Sequence, residues 1–102
     1  MHRAILISLL AATLGLTGCQ SQPTTHQARG IITDLQVRDI ARAEWIRLRT
    51  DDGRDLTLTM GESVTFSASH LREHMVFAEP VTVTYVAGPD GAVATTIEDA
   101  TP

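Results

Sequence analysis

Two histidines four positions apart are the residues of this chain whose spacing points most directly to chemistry. On a helix, His70 and His74 would lie on the same face, one turn apart. Met75 adds a thioether that suits copper, whereas two imidazoles with a carboxylate such as Glu73 suit zinc better. A structural or solvated helix turn that binds no metal is the favoured interpretation of this pattern. The alternative is a copper or zinc site at His70, His74 and Met75.

A second group of polar residues lies on one face of a predicted strand over 44–50. Trp45, Arg47 and Arg49 occupy alternate positions, so they share one side of the strand and leave the other side to apolar residues. An aromatic ring beside guanidinium groups suits anionic or ring-bearing ligands. This face is predicted to contact a partner or ligand. The alternative is a solvated surface on which the Trp packs against the Arg stems.

The start of the chain has the order of a secretory signal: a short basic segment, an apolar run over 4–16, and then small residues. The apolar run is shorter than the ~20 residues of a membrane-spanning helix. Its end, Leu16-Thr17-Gly18-Cys19, resembles the bacterial lipobox. This resemblance implies a signal peptide over 1–18, cleavage before Cys19 and a diacylglycerol on its sulfur. An ordinary secretory signal that ends at a free thiol is the alternative.

The lipobox resemblance also implies a location. Gln20 follows the cysteine, and in such lipoproteins the absence of Asp at this position is associated with retention at the outer membrane. We therefore expect a chain anchored to the membrane through Cys19, on the periplasmic face of the outer membrane. The partner of the Trp45 face would then be an envelope protein or an anionic envelope component.

Composition excludes several classes of function. The formal net charge is −4, and loss of Arg3 with the signal would make it more negative, which argues against nucleic-acid binding. Lipidation of the single cysteine would leave no thiol for disulfides or for catalysis. The sequence contains no Gly-x-Ser-x-Gly elbow and no phosphate-binding glycine loop. The protein is predicted not to be an enzyme and to have no cofactor, with a copper or zinc ion as the alternative.

The rest of the chain divides into a polar tether over 19–28 and one small domain over 29–100. Alternation and turn residues predict five strands, over 29–37, 44–50, 56–60, 81–85 and 93–97. Ile31, Leu35 and Val37 are expected on one side of the first strand. The dipeptide Asp52-Gly53 predicts a hairpin between the second and third strands. Residues 98–100 are expected to form a frayed acidic end.

A short helix is predicted over 70–77, between the third and fourth strands, with Ser67 or Ser69 as its cap and Glu73 in a loose capping box. Leu71, Met75 and Val76 are its expected buried contacts. Residues 64–66 are a candidate for a brief extension of the sheet, and alternation directs Met60 into the core.

Five strands with a helix between the third and fourth form the element order of a small OB-like barrel, a mainly β fold. The domain is similar in this order to small OB-like domains of bacterial envelope lipoproteins and secreted proteins. Among these, the periplasmic copper and silver chaperones use His, Met and Trp. This chain lacks their Trp-Pro-x-Met-x-Met run, because Trp45 is followed by Ile46 and Arg47. The predicted function is a membrane-anchored binding or assembly module, with a copper- or zinc-binding domain as the alternative.

Overall fold

The computed structural model describes residues 24–100, so the predicted signal peptide and the lipidated Cys19 lie outside the described residues. The described chain forms five strands and one helix, in the predicted order. The elements are β1 Thr25–Val37, β2 Ala43–Thr50, β3 Asp55–Met60, α1 Ala68–Val76, β4 Val81–Gly88 and β5 Gly91–Asp99.

The strands close into a barrel in the order β1-β2-β3-β5-β4, with β4 returning to β1. Neighbouring strands are antiparallel except β3 and β5, which run parallel through Thr59↔Val93 and Met60↔Ala94. Closure leaves few open sheet edges in so small a domain. The predicted mainly β, five-stranded barrel with a helix between strands 3 and 4 is confirmed.

β1 is long enough to pair with two neighbours. Its first half pairs with β4 from Thr25 to Gly30, and its second half pairs with β2 from Gly30 to Val37. Residues Thr25–Ala28, which the sequence analysis assigned to the tether, are therefore part of the barrel. The polarity of this segment is explained by exposure, since Thr25, His26 and Gln27 all face solvent.

A bulge in β1 corrects the predicted inward face of this strand. The register passes from Ile32↔Leu48 to Asp34↔Arg47, so Thr33 has no opposite partner on β2. An unpaired residue shifts the alternation by one position. Ile32 is consequently buried in the core and Ile31 is only half-buried, whereas Leu35 and Val37 remain partly buried as predicted.

The core is small and consists mainly of strand residues. Its largest fully buried side chains are Ile32, Ile46, Leu48, Leu58, Leu71, Val81 and Val83. Each contributes roughly 1.5–3 kcal/mol by removing apolar surface from water. Leu71 is the one α1 residue of this set, so the helix is attached to the barrel by an apolar side chain that enters the core.

The β2–β3 hairpin forms at the predicted Asp-Gly turn. Its three-residue loop closes with a hydrogen bond from Thr50 N to Arg54 O of 2.8 Å, and Gly53 takes a φ of +89°. Such a loop requires the left-handed conformation at its third residue, which glycine adopts without a Cβ penalty.

Two local expectations near α1 are wrong. Residues 64–66 form no strand, although Val64 is buried and Phe66 packs against the core. Val76 is 66% exposed and is not a buried contact of the helix. Val76 lies five positions after the buried Leu71, which is about 140° around the helix, so its side chain faces away from the barrel.

Gly30 lies where β1 changes partners, and the backbones there approach too closely for a side chain. A Cβ at this position would lie 2.2 Å from Arg49 O and 2.9 Å from Thr50 Cα, both backbone atoms that cannot rotate away.

We expect Gly30→Ala to lower the free energy of unfolding by roughly 1–3 kcal/mol, the usual cost of overpacking. Urea denaturation measures this loss. Gln36→Ala, an exposed β1 control, should change stability by less than about 0.5 kcal/mol. Equal stability of both variants would contradict the close approach.

Candidate metal centre

The helix that carries both histidines starts at a serine cap. Ser67 Oγ accepts a hydrogen bond of 3.1 Å from His70 N, and Ser67 O accepts one of 3.0 Å from Leu71 N. The N-cap is therefore Ser67 and not Ser69. His70 rather than Glu73 occupies the third helical position, so no capping box forms.

His70 and His74 lie on the same face of α1. Their ring centroids are 5.1 Å apart. Leu71 lies between them in sequence and is fully buried in the core, so this side of α1 packs against the barrel. His74 is only 5% exposed, whereas the side chain of His70 is 40% exposed. The imidazole of His74 is therefore held inside the protein, whereas that of His70 is accessible to solvent.

The helix ends in a Schellman motif built on an alanine. Glu79 N donates to His74 O at 2.9 Å, and Ala78 N donates to Met75 O at 3.2 Å. Ala78 has a φ of +52°, in the left-handed region that glycine usually occupies at this position. The tight reversal brings the carbonyl of Glu79 back to the ring of His74.

This carbonyl determines how His74 presents its two nitrogens. Nδ1 lies 3.0 Å from Glu79 O. A carbonyl oxygen only accepts, so Nδ1 carries the proton and donates it. Nε2 is the remaining nitrogen, and it faces the cleft. A backbone carbonyl that orients a metal-binding imidazole in this way is a common supporting interaction in metal sites.

Asp99 supplies a carboxylate opposite both imidazoles. Asp99 Oδ1 lies 2.7 Å from His74 Nε2 and 3.6 Å from His70 Nε2. At 2.7 Å one proton must lie between Nε2 and Oδ1, because two facing lone pairs would repel each other. A bound metal ion would take the place of that proton.

Asp99 is the site residue that the sequence analysis missed. It was assigned to a frayed end, but β5 continues through Asp99, which pairs with Val81 at the start of β4. Since β4 begins shortly after α1 ends, this pairing places the carboxylate beside the helix. No spacing rule could have found a contact that depends on strand register.

The three side chains form the one potential metal cluster found among residues 24–100. One ligand atom from each of His70, His74 and Asp99 lies within 4.8 Å of the other two. Tetrahedral zinc with ligand distances near 2.1 Å separates its ligand atoms by about 3.4 Å. The 3.6 Å from His70 Nε2 to Asp99 Oδ1 matches this spacing, and the 2.7 Å contact at His74 would lengthen by less than an ångström.

An aromatic ring supports the more exposed imidazole. Phe66 stacks on His70, with ring centroids 4.1 Å apart and an interplanar angle of 8°, and it lies 5.9 Å from the ring of His74. Phe66 also packs against the barrel core. This stack fixes the orientation of the His70 ring, in which Nε2 faces Asp99.

The cluster opens into a cleft of about 400 Å³. The cleft is lined by His70, Glu73, His74, Glu79, Pro80, Asp99 and Ala100. Met75, predicted as a third ligand, packs against the core and is not among the lining residues. The third group of the cluster is therefore the carboxylate of Asp99 and not the predicted thioether of Met75.

The Trp45 face lies on the outside of β2, as predicted, but its arginines already have partners. Arg47 lies over the Trp45 ring, 5.6 Å from its centroid, and 3.6 Å from Asp34. Arg49 forms a two-pronged pair with Asp55, at 2.7 and 3.3 Å. The hydrogen bond from Arg49 holds the pKa of Asp55 below its usual range. Both cations are balanced within the domain, which leaves little net charge to attract an anion. Partner contact through this face stays a prediction.

Comparison with known proteins finds the same barrel fold among solved structures. No protein-family model and no curated protein sequence matches the chain. Among solved structures, apo-CusF from Escherichia coli superposes with a TM-score of 0.59 at 11% identity, over 85% of this chain and 100% of that chain. CusF-Ag(I) from Escherichia coli gives a TM-score of 0.56 at 11% identity, over 79% and 98%. Another structure of Ag(I)CusF gives 0.53 at 10% identity, over 76% and 100%.

At this level of identity, the comparison establishes a shared fold: a small five-stranded, OB-like barrel like that of CusF. It does not transfer any residue. Within residues 24–100, no helix combines the length and the apolar character needed to cross a membrane.

The alanine at the helix end can be tested directly. Ala78 pays roughly 1–2 kcal/mol for its left-handed backbone, whereas glycine would lose about 0.5–1 kcal/mol through greater freedom in the unfolded chain. We therefore expect Ala78→Gly to raise the free energy of unfolding by about 0.5–1 kcal/mol, as measured by urea denaturation. Ala87→Gly, at an exposed position in β4, should lower it by a similar amount. A loss of stability in both variants would show that Ala78 is not strained.

Proposed function

We propose that this protein binds one transition-metal ion, zinc or copper, through His70, His74 and Asp99. The observation that carries the proposal is the convergence of three donor atoms from two separate elements at one cleft. Imidazole nitrogen and carboxylate oxygen are established ligands of both metals. This is the alternative function of the sequence analysis, with Asp99 in place of Met75.

The hydrogen bond of the buried His74 favours metal binding at one defined nitrogen of its ring. Glu79 O holds the proton on His74 Nδ1, so Nε2 is the atom available to a metal. Loading displaces the proton shared between Nε2 and Asp99, and metal binding should therefore release protons and weaken in acid. His70 completes the set from the open side.

The exposure of the site favours reversible binding over a permanent structural role. The side chain of Asp99 is 68% exposed and that of His70 is 40% exposed, so an incoming or outgoing ion can reach the ligands from solvent. Three protein ligands leave a tetrahedral ion with one position for water or for a donor from another molecule. Such a site can exchange its ion with solvent or with another molecule, as a carrier or buffer of metal ions requires.

The shared fold gives independent support. CusF-Ag(I) is a metal-bound protein with the same barrel, which shows that a domain of this size and topology can hold a metal ion.

The lipobox resemblance suggests where this binding would take place. If Cys19 is lipidated, only residues 20–24 separate it from β1, an extended length of at most about 20 Å. The barrel would then carry its metal close to the membrane in the periplasm.

Native mass spectrometry of the full chain, in detergent and after chelation, tests the proposal. We expect one zinc or copper ion per chain, and markedly weaker binding of that ion in His70→Ala and in Asp99→Asn. Both residues are exposed enough for the fold to tolerate these changes. His26→Ala is the matched control, because His26 is exposed and stacks on Tyr85, outside the cluster. It should bind one ion as the unaltered chain does.

Unchanged binding in His70→Ala and Asp99→Asn would contradict the proposed site. A thermal melt gives a second readout. An ion at 100 times its dissociation constant should stabilise the unaltered chain by about 2.7 kcal/mol and the Asp99→Asn variant by about 1.4 kcal/mol or less.

A further inference from the structure

We infer that the site selects divalent Zn²⁺ or Cu²⁺ over the soft monovalent ions Ag⁺ and Cu⁺, an inference that rests on the proposed function. The chain thus shares its barrel with a protein seen in a silver-bound form, and its own converging donors are two imidazoles and a carboxylate. Three features of the described residues carry this inference.

The first feature is the chemistry of the donors. The converging atoms are two imidazole nitrogens and one carboxylate oxygen. Soft ions such as Cu⁺ are selected by thioether and thiolate sulfur, whereas imidazole with carboxylate suits divalent ions of intermediate hardness. The anionic oxygen of Asp99 is the ligand that discriminates, because it contributes much more to a small divalent ion than to a large monovalent one.

The second feature is the position of the sulfur atoms. Met60 and Met75 both pack against the barrel core, and neither lines the cleft. Met60 instead borders a separate small pocket with Arg42, Val64 and Phe66. Trp45 is also engaged elsewhere, under the guanidinium of Arg47. Within residues 24–100, no thioether is available to the converging ligands without leaving the core.

The third feature is the charge of the cleft. Its lining includes Glu73, Glu79 and Asp99, and no Arg side chain is among the described lining residues. A divalent ion gains twice the electrostatic stabilisation of a monovalent ion in the same negative field. Stripping water from a divalent ion opposes this gain. The open cleft reduces that cost, since the ion can keep water on the side that faces solvent.

A competition experiment on the full chain tests the selectivity. The chelated protein is loaded with one equivalent of Zn²⁺ in chloride-free buffer, titrated with Ag⁺, and followed by native mass spectrometry, which separates the two adducts by mass. We expect zinc to remain bound when silver is equimolar. Isothermal titration with each ion should show Asp99→Asn weakening zinc by roughly 10- to 100-fold and changing silver affinity much less.

Asp90→Asn is the matched control, because Asp90 is an exposed carboxylate on the β4–β5 turn and does not line the cleft. It should leave zinc affinity unchanged, which separates ligation by Asp99 from a general effect of net charge. Asp99→Met gives the converse test, since it installs a thioether at the same position. This variant should shift the preference toward Ag⁺.

The outcomes distinguish the two proposals. If silver displaces zinc at equimolar concentration and its binding is lost in His70→Ala, the metal site stands and its divalent selectivity is overturned. If Asp99→Asn weakens zinc and silver equally, the discriminating role of the carboxylate is overturned. If neither ion binds stoichiometrically, the proposed function itself fails.

Discussion

The double engagement of the His74 ring is the interaction on which the site depends. One nitrogen donates to the carbonyl of Glu79 and the other faces Asp99, so the buried imidazole joins the end of α1 to the end of β5. A buried polar ring is costly unless both nitrogens are satisfied, and here both are. The same geometry leaves a single nitrogen directed at the cleft, which is the condition for ordered metal binding.

The barrel supplies the rigidity that this interaction needs. Leu71 anchors α1 in the core, and the Schellman motif at Ala78 turns the chain back into β4. Pairing of Val81 with Asp99 then sets the distance between the helix and the carboxylate. Phe66 holds the remaining imidazole by stacking. A backbone carbonyl holds the His74 ring and the Phe66 stack holds the His70 ring, so little ordering of these two rings is left for a metal ion to impose.

Comparison of the two candidate surfaces shows why convergence matters more than composition. The Trp45 face has an aromatic ring and two arginines, but Asp34 and Asp55 neutralise both cations within the domain. The candidate metal centre draws its three groups from two separate elements, yet its acidic and imidazole groups face one another across a cleft. The fold is shared with CusF, but a shared fold does not assign a function, so the function has to be argued from these groups.

Four features could be predicted from the sequence: the order of strands and helix along the chain, the Asp-Gly hairpin, the helix between strands 3 and 4 and the common face of His70 and His74. All of these depend on local periodicity or turn chemistry, which are written in neighbouring residues. Four others appear only in the folded chain: the bulge at Thr33, the burial of His74, the exposure of Val76 and the position of Asp99 beside the helix. These depend on strand register and barrel closure, because Asp99 meets the helix only after β5 has paired with β4. A contact across 25 residues leaves no periodic trace in the sequence.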